Sequence, residues 1–367
     1  DNPMFDENAI LTDNIVVNTG VLKADGSLND DVSTFRVWTP IGNNGDPYKG
    51  TFDGQGHTIS GLYVNDKTKY CVGLFGRIKA AKIMNAGVVE SYFHGDTYVG
   101  GVCGATWGPN DYISNCYNTG MVSGETTVGG VCGSLENNSS LTHCYNTGTV
   151  SGKDSTIGGV CGDNINSTIT HCYNTGTVSG KNQDIGGVCG RNANGAITHC
   201  YNTGAVSGNV KDIGGVCGFN QESTSYITHC YNTGKVSGND LVGGVCGGNF
   251  STITNCYNTG EVIGNGSSQV GSVCGLVFLN SSIKNCYYLS MSHTQGVGVN
   301  QGSVEATEKT ENQFKSGKVT WLLNGSVAGE NPTWRQTIDE GAFPVLDEAK
   351  GIVMKASTES LNSVIRP

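Results

Sequence analysis

The chain has 367 residues, of which 56 are glycine and 7 are proline, and its formal net charge is −10. This negative charge argues against a nucleic-acid-binding protein, because no basic stripe is present to neutralise phosphates. No apolar run approaches the roughly 18 residues that a transmembrane helix needs. The first residues also lack the charged and apolar regions of a signal peptide, although a removed signal peptide would leave no trace.

Residues 1–70 show no regular repeat, and we predict that they form an N-terminal cap with irregular first coils. Within them, Thr51–Val64 (TFDGQGHTISGLYV) places apolar side chains at Ile59, Leu62 and Val64. Such alternation is typical of short strands with one buried face. The abundant glycine, together with the scarcity of proline and charge, favours short strands joined by tight turns over disorder.

Two cysteine-containing motifs recur about every 28 residues through residues 71–290. The first motif reads [VI]-G-[GS]-V-C-G, with its cysteine at Cys103, Cys132, Cys161, Cys189, Cys217, Cys246 and Cys274. The second motif reads [IL]-x-[NH]-C-Y, with its cysteine at Cys116, Cys144, Cys172, Cys200, Cys230, Cys256 and Cys286. A degenerate first unit has Phe75 and Ala86 at the two cysteine positions. These positions therefore require apolar volume more than sulfur chemistry.

Each unit contains several glycines and no glycine-free run long enough for a stable helix. We therefore predict three short strands per unit, around VGGVCG, around SxITHCY and around GTVSG. The expected fold class is all-β, a parallel β-helix (β-solenoid) of about 28-residue coils. The sequence does not specify its handedness, and parallel crossovers in general strongly prefer the right hand. Identical residues of successive coils should stack at about 4.8 Å, which explains why the phrase THCYNTG recurs at 142–148, 170–176, 198–204 and 228–234.

The adjacent valine and cysteine of VGGVCG leave two arrangements open. Neighbouring residues of a regular strand face opposite sides, yet both positions are apolar in every unit. Either a bulge at the two glycines turns both side chains inward, or one of the two columns lies outside.

The fifteen cysteines allow either a disulfide framework or buried free thiols that pack as small hydrophobes. We favour free thiols, because the number is odd and Cys71 falls outside both motifs. One position per unit holds histidine or asparagine: His143, His171, His199, His229, Asn115, Asn255 and Asn285. This alternation favours a hydrogen-bonding turn residue over a metal site, and we predict no metal and no cofactor.

The tyrosine after each second-motif cysteine forms a further column, which should face outward if the cysteine faces the core. A stacked tyrosine ladder stabilises a solenoid by itself, and this is the role we favour. The same column can also contact sugar rings or another protein. Together with the longest early turn, the candidate binding residues are Trp107, Tyr112, Tyr117, Tyr145, Tyr173, Tyr201, Tyr231 and Tyr257.

The enzymatic alternative is a polysaccharide lyase or hydrolase on a β-helix, which needs paired carboxylates or acidic calcium ligands. Four aspartates fall on one variable turn beside lysines, which predicts a solvated edge of mixed charge: Asp154, Asp184, Asp212 and Asp240. Asp53, His57 and Asp96 form a looser candidate near the first coils. None of the seven histidines begins an H-E-x-x-H motif, so the zinc peptidase signature is absent. We predict no catalytic residue.

Residues 291–367 change in character and predict a C-terminal cap. We expect one helix at Glu305–Leu323, with Thr307 as its N-cap, Glu311 and Lys315 one turn apart, and Gly325 ending it. The side chains expected to cover the last coil and complete the lid are Phe314, Val319, Trp321, Leu322, Leu323, Trp334 and Phe343–Leu346.

The pattern GGVCG…ITNCYNTGxVSG resembles the GLUG-type repeat of bacterial surface proteins. The lead-in WTPIG…FDGQGHTISGLYV…VGLFG, which begins at Trp38, resembles the segment that usually precedes such repeats, and the ending from Trp334 to FPVL is similar too. Such repeats are similar to those before the peptidase part of immunoglobulin A protease-like proteins, and they occur in adhesin-like proteins of gut bacteria. The resemblance implies a secreted or surface-anchored β-solenoid.

From the residues and the resemblance together, we expect a non-catalytic module for adhesion, recognition or spacing. A host glycan or a host protein is the expected ligand, and nucleic acid is not. The carbohydrate-active β-helix enzyme is the alternative function.

Overall fold

The computed structural model describes residues 5–265, 269–290, 295–327, 331–338, 342–346, 350, 352–356 and 361–365, the last two ranges by their backbone. The chain passes through three parallel sheets in turn and repeats this path for about eight turns of about 28 residues. The predicted all-β solenoid is therefore confirmed.

Sheet I contains the strands that begin at the first-motif cysteine or at a residue paired with it, which is Phe75 in the first strand and Val297 in the last. Neighbouring strands pair in parallel with cysteine opposite cysteine, for example Cys103 with Cys132. The strands are Phe75–Ile78, Cys103–Thr106, Cys132–Leu135, Cys161–Ile165, Cys189–Ala193, Cys217–Gln221, Cys246–Asn249, Cys274–Val277 and Val297–Asn300.

The entry to sheet I resolves the arrangement of the adjacent valine and cysteine. The backbone N–H groups of Val102 and Cys103 both donate to the carbonyl oxygen of Val131, at 2.9 and 3.0 Å. Because two consecutive N–H groups converge on one acceptor, the chain bends between them and both side chains turn into the core, where both are fully buried. A glycine is required before this corner, since a Cβ on Gly100 would lie 2.1 Å from the carbonyl oxygen of Cys103.

Sheet II contains two strands per coil, separated by a corner. The strands are Ala9–Ile10, Ile15–Val16, Thr51–Asp53, Thr58–Ser60, Lys82–Met84, Gly87–Val89, Tyr112–Ser114, Tyr117–Asn118, Ser140–Thr142, Tyr145–Asn146, Thr168–Thr170, Tyr173–Asn174, Ala196–Thr198, Tyr201–Asn202, Tyr226–Thr228, Tyr231–Asn232, Thr252–Thr254, Tyr257–Asn258, Ser282–Leu289 and Ser303–Lys309. The first strands, Ala9–Ile10 and Ile15–Val16, pair in parallel with the next coil and form the irregular start of the stack.

The corner of sheet II explains the alternation of histidine and asparagine. The corner residue is left-handed in every coil, with φ of 51° at Asn115, 52° at His143 and 49° at Asn285. Asparagine and histidine tolerate this backbone region better than most residues with a side chain. The alternation is therefore a requirement of the turn, as predicted.

Sheet III closes each coil. Its strands are Tyr63–Asn65, Tyr92–Gly100, Met121–Gly129, Val150–Gly152, Ile157–Gly158, Val178–Gly180, Gln183–Gly186, Val206–Gly208, Lys211–Gly214, Val236–Gly238, Val242–Gly243, Val262–Gly264 and Val270–Gly271. A separate antiparallel pair, Ile352–Ala356 and Leu361–Ile365, lies near the C-terminus.

The interior combines apolar columns with hydrogen-bonded asparagines. All fifteen cysteines are buried free thiols, and the fourteen cysteines of the two motifs pack with isoleucine and valine in one continuous core. Beside them, the asparagine that follows each tyrosine is buried and bonds to its counterpart in the next coil; Asn146 Nδ2 donates to Asn174 Oδ1 at 2.9 Å and to the carbonyl oxygen of Gly148 at 2.8 Å. These amides satisfy backbone carbonyls that the turns would otherwise leave unpaired inside the protein.

The single helix predicted at Glu305–Leu323 is wrong. Residues Ser303–Lys309 instead form a strand parallel to Ser282–Leu289, which satisfies the hydrogen-bonding edge of that strand. Two short helices follow, Glu311–Lys315 (α1) and Lys318–Leu323 (α2).

The sequence predicted part of how the two helices begin and end. Thr310 is the N-cap of α1 and forms a capping box with Gln313, so Thr307 is not the cap. Gly317, with φ of 78°, separates the helices. The predicted Glu311–Lys315 ion pair is present at 2.6 Å, and the left-handed Gly325 follows α2 as expected.

Candidate functional site

The tyrosines of sheet II stack face to face along the solenoid. Ring centroids are 4.8 Å apart from Tyr117 to Tyr231 and 5.0 Å apart between Tyr231 and Tyr257, with interplanar angles of 2° to 7°. We call the six stacked rings the tyrosine ladder: Tyr117, Tyr145, Tyr173, Tyr201, Tyr231 and Tyr257. In-register pairing of identical residues enforces this geometry, and the cysteine before each ring faces the core, as predicted.

Stacking decides which part of each ring can meet a ligand. Each inner ring has both faces against its neighbours, and the first ring, Tyr117, lies over Gly87, where a Cβ would be 2.3 Å from the ring. Only ring edges and hydroxyl groups therefore point outward. Sugar rings bind aromatic residues through the ring face, so the ladder is not a stacking platform for glycans.

A second ladder, of histidines, runs beside the first at the corner of sheet II. The centroids of His143, His171, His199 and His229 are 4.8 to 5.0 Å apart. Threonine hydroxyls orient the imidazoles, as where Thr228 Oγ1 lies 3.0 Å from His229 Nδ1. Asn255 Nδ2 lies 3.2 Å from His229 Nε2.

The covered end of the histidine ladder, at His229, disfavours the protonated imidazole. Burial lowers the pKa of His229, and the adjacent His199 lowers it further. Within the described part of the chain, no group of three or more histidine, cysteine, aspartate or glutamate side chains has a metal-binding arrangement.

The C-terminal segment covers one end of the tyrosine ladder. Trp334 is fully buried, with its ring 6.0 Å from Tyr231 and 5.4 Å from Tyr257. Phe314 of α1 lies 5.6 Å from Tyr257, whose hydroxyl donates to the carbonyl oxygen of Pro344 at 2.5 Å. The expected lid over the last coil is thus a lateral clamp on the side of the stack, because the tyrosine edges offer an apolar surface there.

The clamp divides the tyrosine column into two parts. Tyr231, Tyr257 and Tyr287 are at most 7% exposed, and we call them the covered ladder. Tyr117, Tyr145 and Tyr173 are half-buried, and we call them the open ladder. Burial raises the pKa of Tyr145 and Tyr173, so their hydroxyls stay protonated and able to donate.

A cavity of about 320 Å³ lies where the clamp ends. It is lined by His171, Tyr173, His199, Tyr201, Tyr231, Val345 and Leu346. The cavity joins the open ladder to the edge of the clamp.

The structure does not place Trp107 and Tyr112 in the ladder. Trp107 lies in the turn between sheets I and II, with the Arg77 guanidinium carbon 4.4 Å from its ring centroid, so a cation already occupies that ring. Tyr112 begins the sheet II strand Tyr112–Ser114 and lines another cavity, of 520 Å³, with Asp111 and Asn138.

The prediction of a solvated aspartate edge is wrong at two positions. Asp184 and Asp212 are 5% and 2% exposed, and both occupy a left-handed turn with φ of 58°. Burial raises the pKa of Asp184 to about 7 and that of Asp212 to about 6. Asp154 is exposed, as expected. Of the looser candidates, Asp53 accepts hydrogen bonds from Asn85 and Gln55, which gives it a structural role.

Sequence reasoning missed two contributors to this face. The threonine hydroxyls that orient the histidines follow a simple signal, since threonine precedes histidine in every THCYNTG copy. Val345 and Leu346 were expected in the C-terminal lid, but no local signal placed them against the tyrosine ladder, where they line the cavity.

Parts of this chain are similar to known proteins in sequence or in fold. The GLUG motif matches residues 124–151, 181–207 and 238–263. Halomucin of Haloquadratum walsbyi is 28% identical over 142 residues, which is 38% of this chain and 2% of halomucin, so the chain spans a small fraction of that relative. A crystal structure of a "putative immunoglobulin A1 protease" from Bacteroides ovatus is similar with a TM-score of 0.46 and 19% identity, covering 93% of this chain and 86% of that one.

In the described part of the chain, no helix has the length and apolar character needed to cross a bilayer. Three segments of the repeat region match the GLUG motif, so this chain contains GLUG motif repeats.

Proposed function

We propose that this chain is a non-catalytic recognition module, secreted or exposed on a bacterial surface, that serves in adhesion or attachment. The observation that carries the proposal is the divided tyrosine column. One half buries an apolar segment of the chain itself, while the open ladder presents the same ring edges and hydroxyls to solvent. The resemblance of the repeats further supports a role as the repeat portion of an immunoglobulin A protease-like protein.

The solenoid also suits a spacer. Each coil contacts its neighbours through in-register strands, so the chain holds its open face at a fixed position along an extended stack. A ligand on that face would therefore be bound without any closing motion of the scaffold.

The carbohydrate-active enzyme remains the alternative, and an array of host glycans and host surface proteins separates the two functions. We expect retention of a ligand without any product, and loss of retention when Tyr145 and Tyr173 are both changed to alanine. Tyr226→Ala is the matched control, because Tyr226 is 43% exposed on the same sheet but outside the ladder. Shortened oligosaccharides after incubation would favour the enzyme instead.

A further inference from the structure

We propose that the open ladder docks a polypeptide segment of a partner protein, one that is apolar and carries an aromatic side chain. The inference rests on the proposed recognition function and names the ligand class for the same face. It starts from the one occupant of the ladder that the structure shows, the chain's own C-terminal clamp.

The clamp shows which chemistry the ladder accepts. Trp334 presents its ring to the edges of Tyr231 and Tyr257 at interplanar angles of 57° and 55°. Phe314 meets Tyr257 in the same tilted manner, at 56°. Tyrosine edges are electropositive and aromatic faces are electronegative, so this geometry is attractive beyond simple burial.

A backbone carbonyl completes the contact. The Tyr257 hydroxyl donates to the carbonyl oxygen of Pro344 at 2.5 Å in a buried setting. Proline has no backbone N–H to satisfy, so an extended segment can approach the ladder there without leaving a buried donor unpaired. The occupant thus combines an aromatic face, an apolar stretch and an accessible carbonyl.

The open ladder repeats the groups that the clamp uses. Tyr145 and Tyr173 pair in register along the sheet, as do Tyr231 and Tyr257, so they offer equivalent edges and hydroxyls at the same spacing. The cavity of 320 Å³ bounded by Val345 and Leu346 opens directly beside Tyr173. A partner segment seated there would continue the surface of the clamp along the solenoid.

The same geometry disfavours a glycan. The faces of the ladder rings stack against one another and are not available to a sugar ring. The residues that line the cavity include no carboxylate, ammonium or amide side chain. Sugar recognition depends on ring faces and on a dense set of polar groups around the hydroxyls. A peptide needs only edges, apolar walls and phenol donors, which this face supplies.

A random dodecapeptide phage library panned against the whole chain tests the inference. We expect enriched peptides to contain tryptophan or phenylalanine within an apolar stretch. Their dissociation constants, measured by fluorescence anisotropy, should rise about tenfold for the double variant Tyr145→Phe/Tyr173→Phe. That variant keeps the stacked rings and removes two hydroxyl donors, and a tenfold rise corresponds to about 1.4 kcal/mol. Tyr226→Phe is the matched control and should leave the constants unchanged.

The outcomes distinguish this inference from the proposed function. Peptides that bind equally well to the double variant and to Tyr145→Arg, or no enriched peptides at all, would overturn the peptide site. Glycans that bind the open ladder would overturn the ligand class and leave the recognition function standing. A dimer in light scattering that Tyr145→Arg dissociates would replace the partner protein by a second copy of this chain. If no peptide and no glycan bound and the chain did not self-associate, the proposed recognition function would also be wrong.

Discussion

The buried asparagine ladder offers a sharp test of how the coils hold together. Asn174 Nδ2 donates to Asn202 Oδ1 and to the carbonyl oxygen of Gly176, both at 2.8 Å, and its Oδ1 accepts from Asn146 at 2.9 Å. Asn174→Ala deletes all three hydrogen bonds at a fully buried position, and it deprives two acceptors and one amide N–H of Asn146 of their partner. At about 1 kcal/mol for each bond, with a further penalty for buried unpaired groups, unfolding should become easier by about 3–5 kcal/mol.

Urea unfolding followed by circular dichroism measures the global effect, and native-state hydrogen exchange measures it coil by coil. Solenoid coils contact only their neighbours, so protection should fall most in residues 140–208. Thr175→Ala is the matched control, because this exposed neighbour should change stability by no more than about 0.5 kcal/mol. A loss below about 1 kcal/mol for Asn174→Ala would contradict the structural role of the ladder.

Three further predictions test the thiols, a buried acid and the clamp. Ellman's reagent should label all fifteen cysteines after denaturation and almost none before, since the thiols are free and buried; a lower count after denaturation would reveal disulfides. Burial raises the pKa of Asp184 to about 7 from a usual value of 3.8, so the folded state binds its proton more tightly and stability should rise as pH falls from 8 to 4. Asp184→Asn should therefore stabilise the protein at pH 8, on the order of 2 kcal/mol, with the difference vanishing near pH 4; an equal effect at both pH values would refute this. Trp334→Ala should cost about 3–5 kcal/mol of local stability and open residues 310–346 to limited proteolysis, whereas continued protection would argue against the lateral clamp.

The repeat period was sufficient to predict the solenoid. A spacing of about 28 residues with cysteine retained at two positions dictates that like residues stack, because neighbouring strands lie a fixed distance apart. The same logic placed Cys116 inside and Tyr117 outside, since adjacent strand residues face opposite sides. These inferences are local or periodic, which is why a single sequence could support them.

The errors arose where a residue's surroundings come from distant parts of the chain. In the sequence, Asp184 and the exposed Asp154 fall on the same variable turn of successive units. In the structure, Asp184 occupies a corner against which the next coil packs closely. A Cβ on Gly218 would lie 2.4 Å from the backbone nitrogen of Ile185, which shows how near that coil approaches. Ser303–Lys309 had the composition of a helix start, yet the unpaired edge of Ser282–Leu289 recruited it as a strand.

The sequence by itself determined the coil, its inward and outward columns and the candidate tyrosines, because stacking obliges each unit to match its neighbour. Only the tertiary structure decided that two aspartates are buried and that the C-terminal segment clamps one side of the stack. Those outcomes depend on contacts between segments far apart in the chain, such as Trp334 with Tyr257, and no local pattern encodes them.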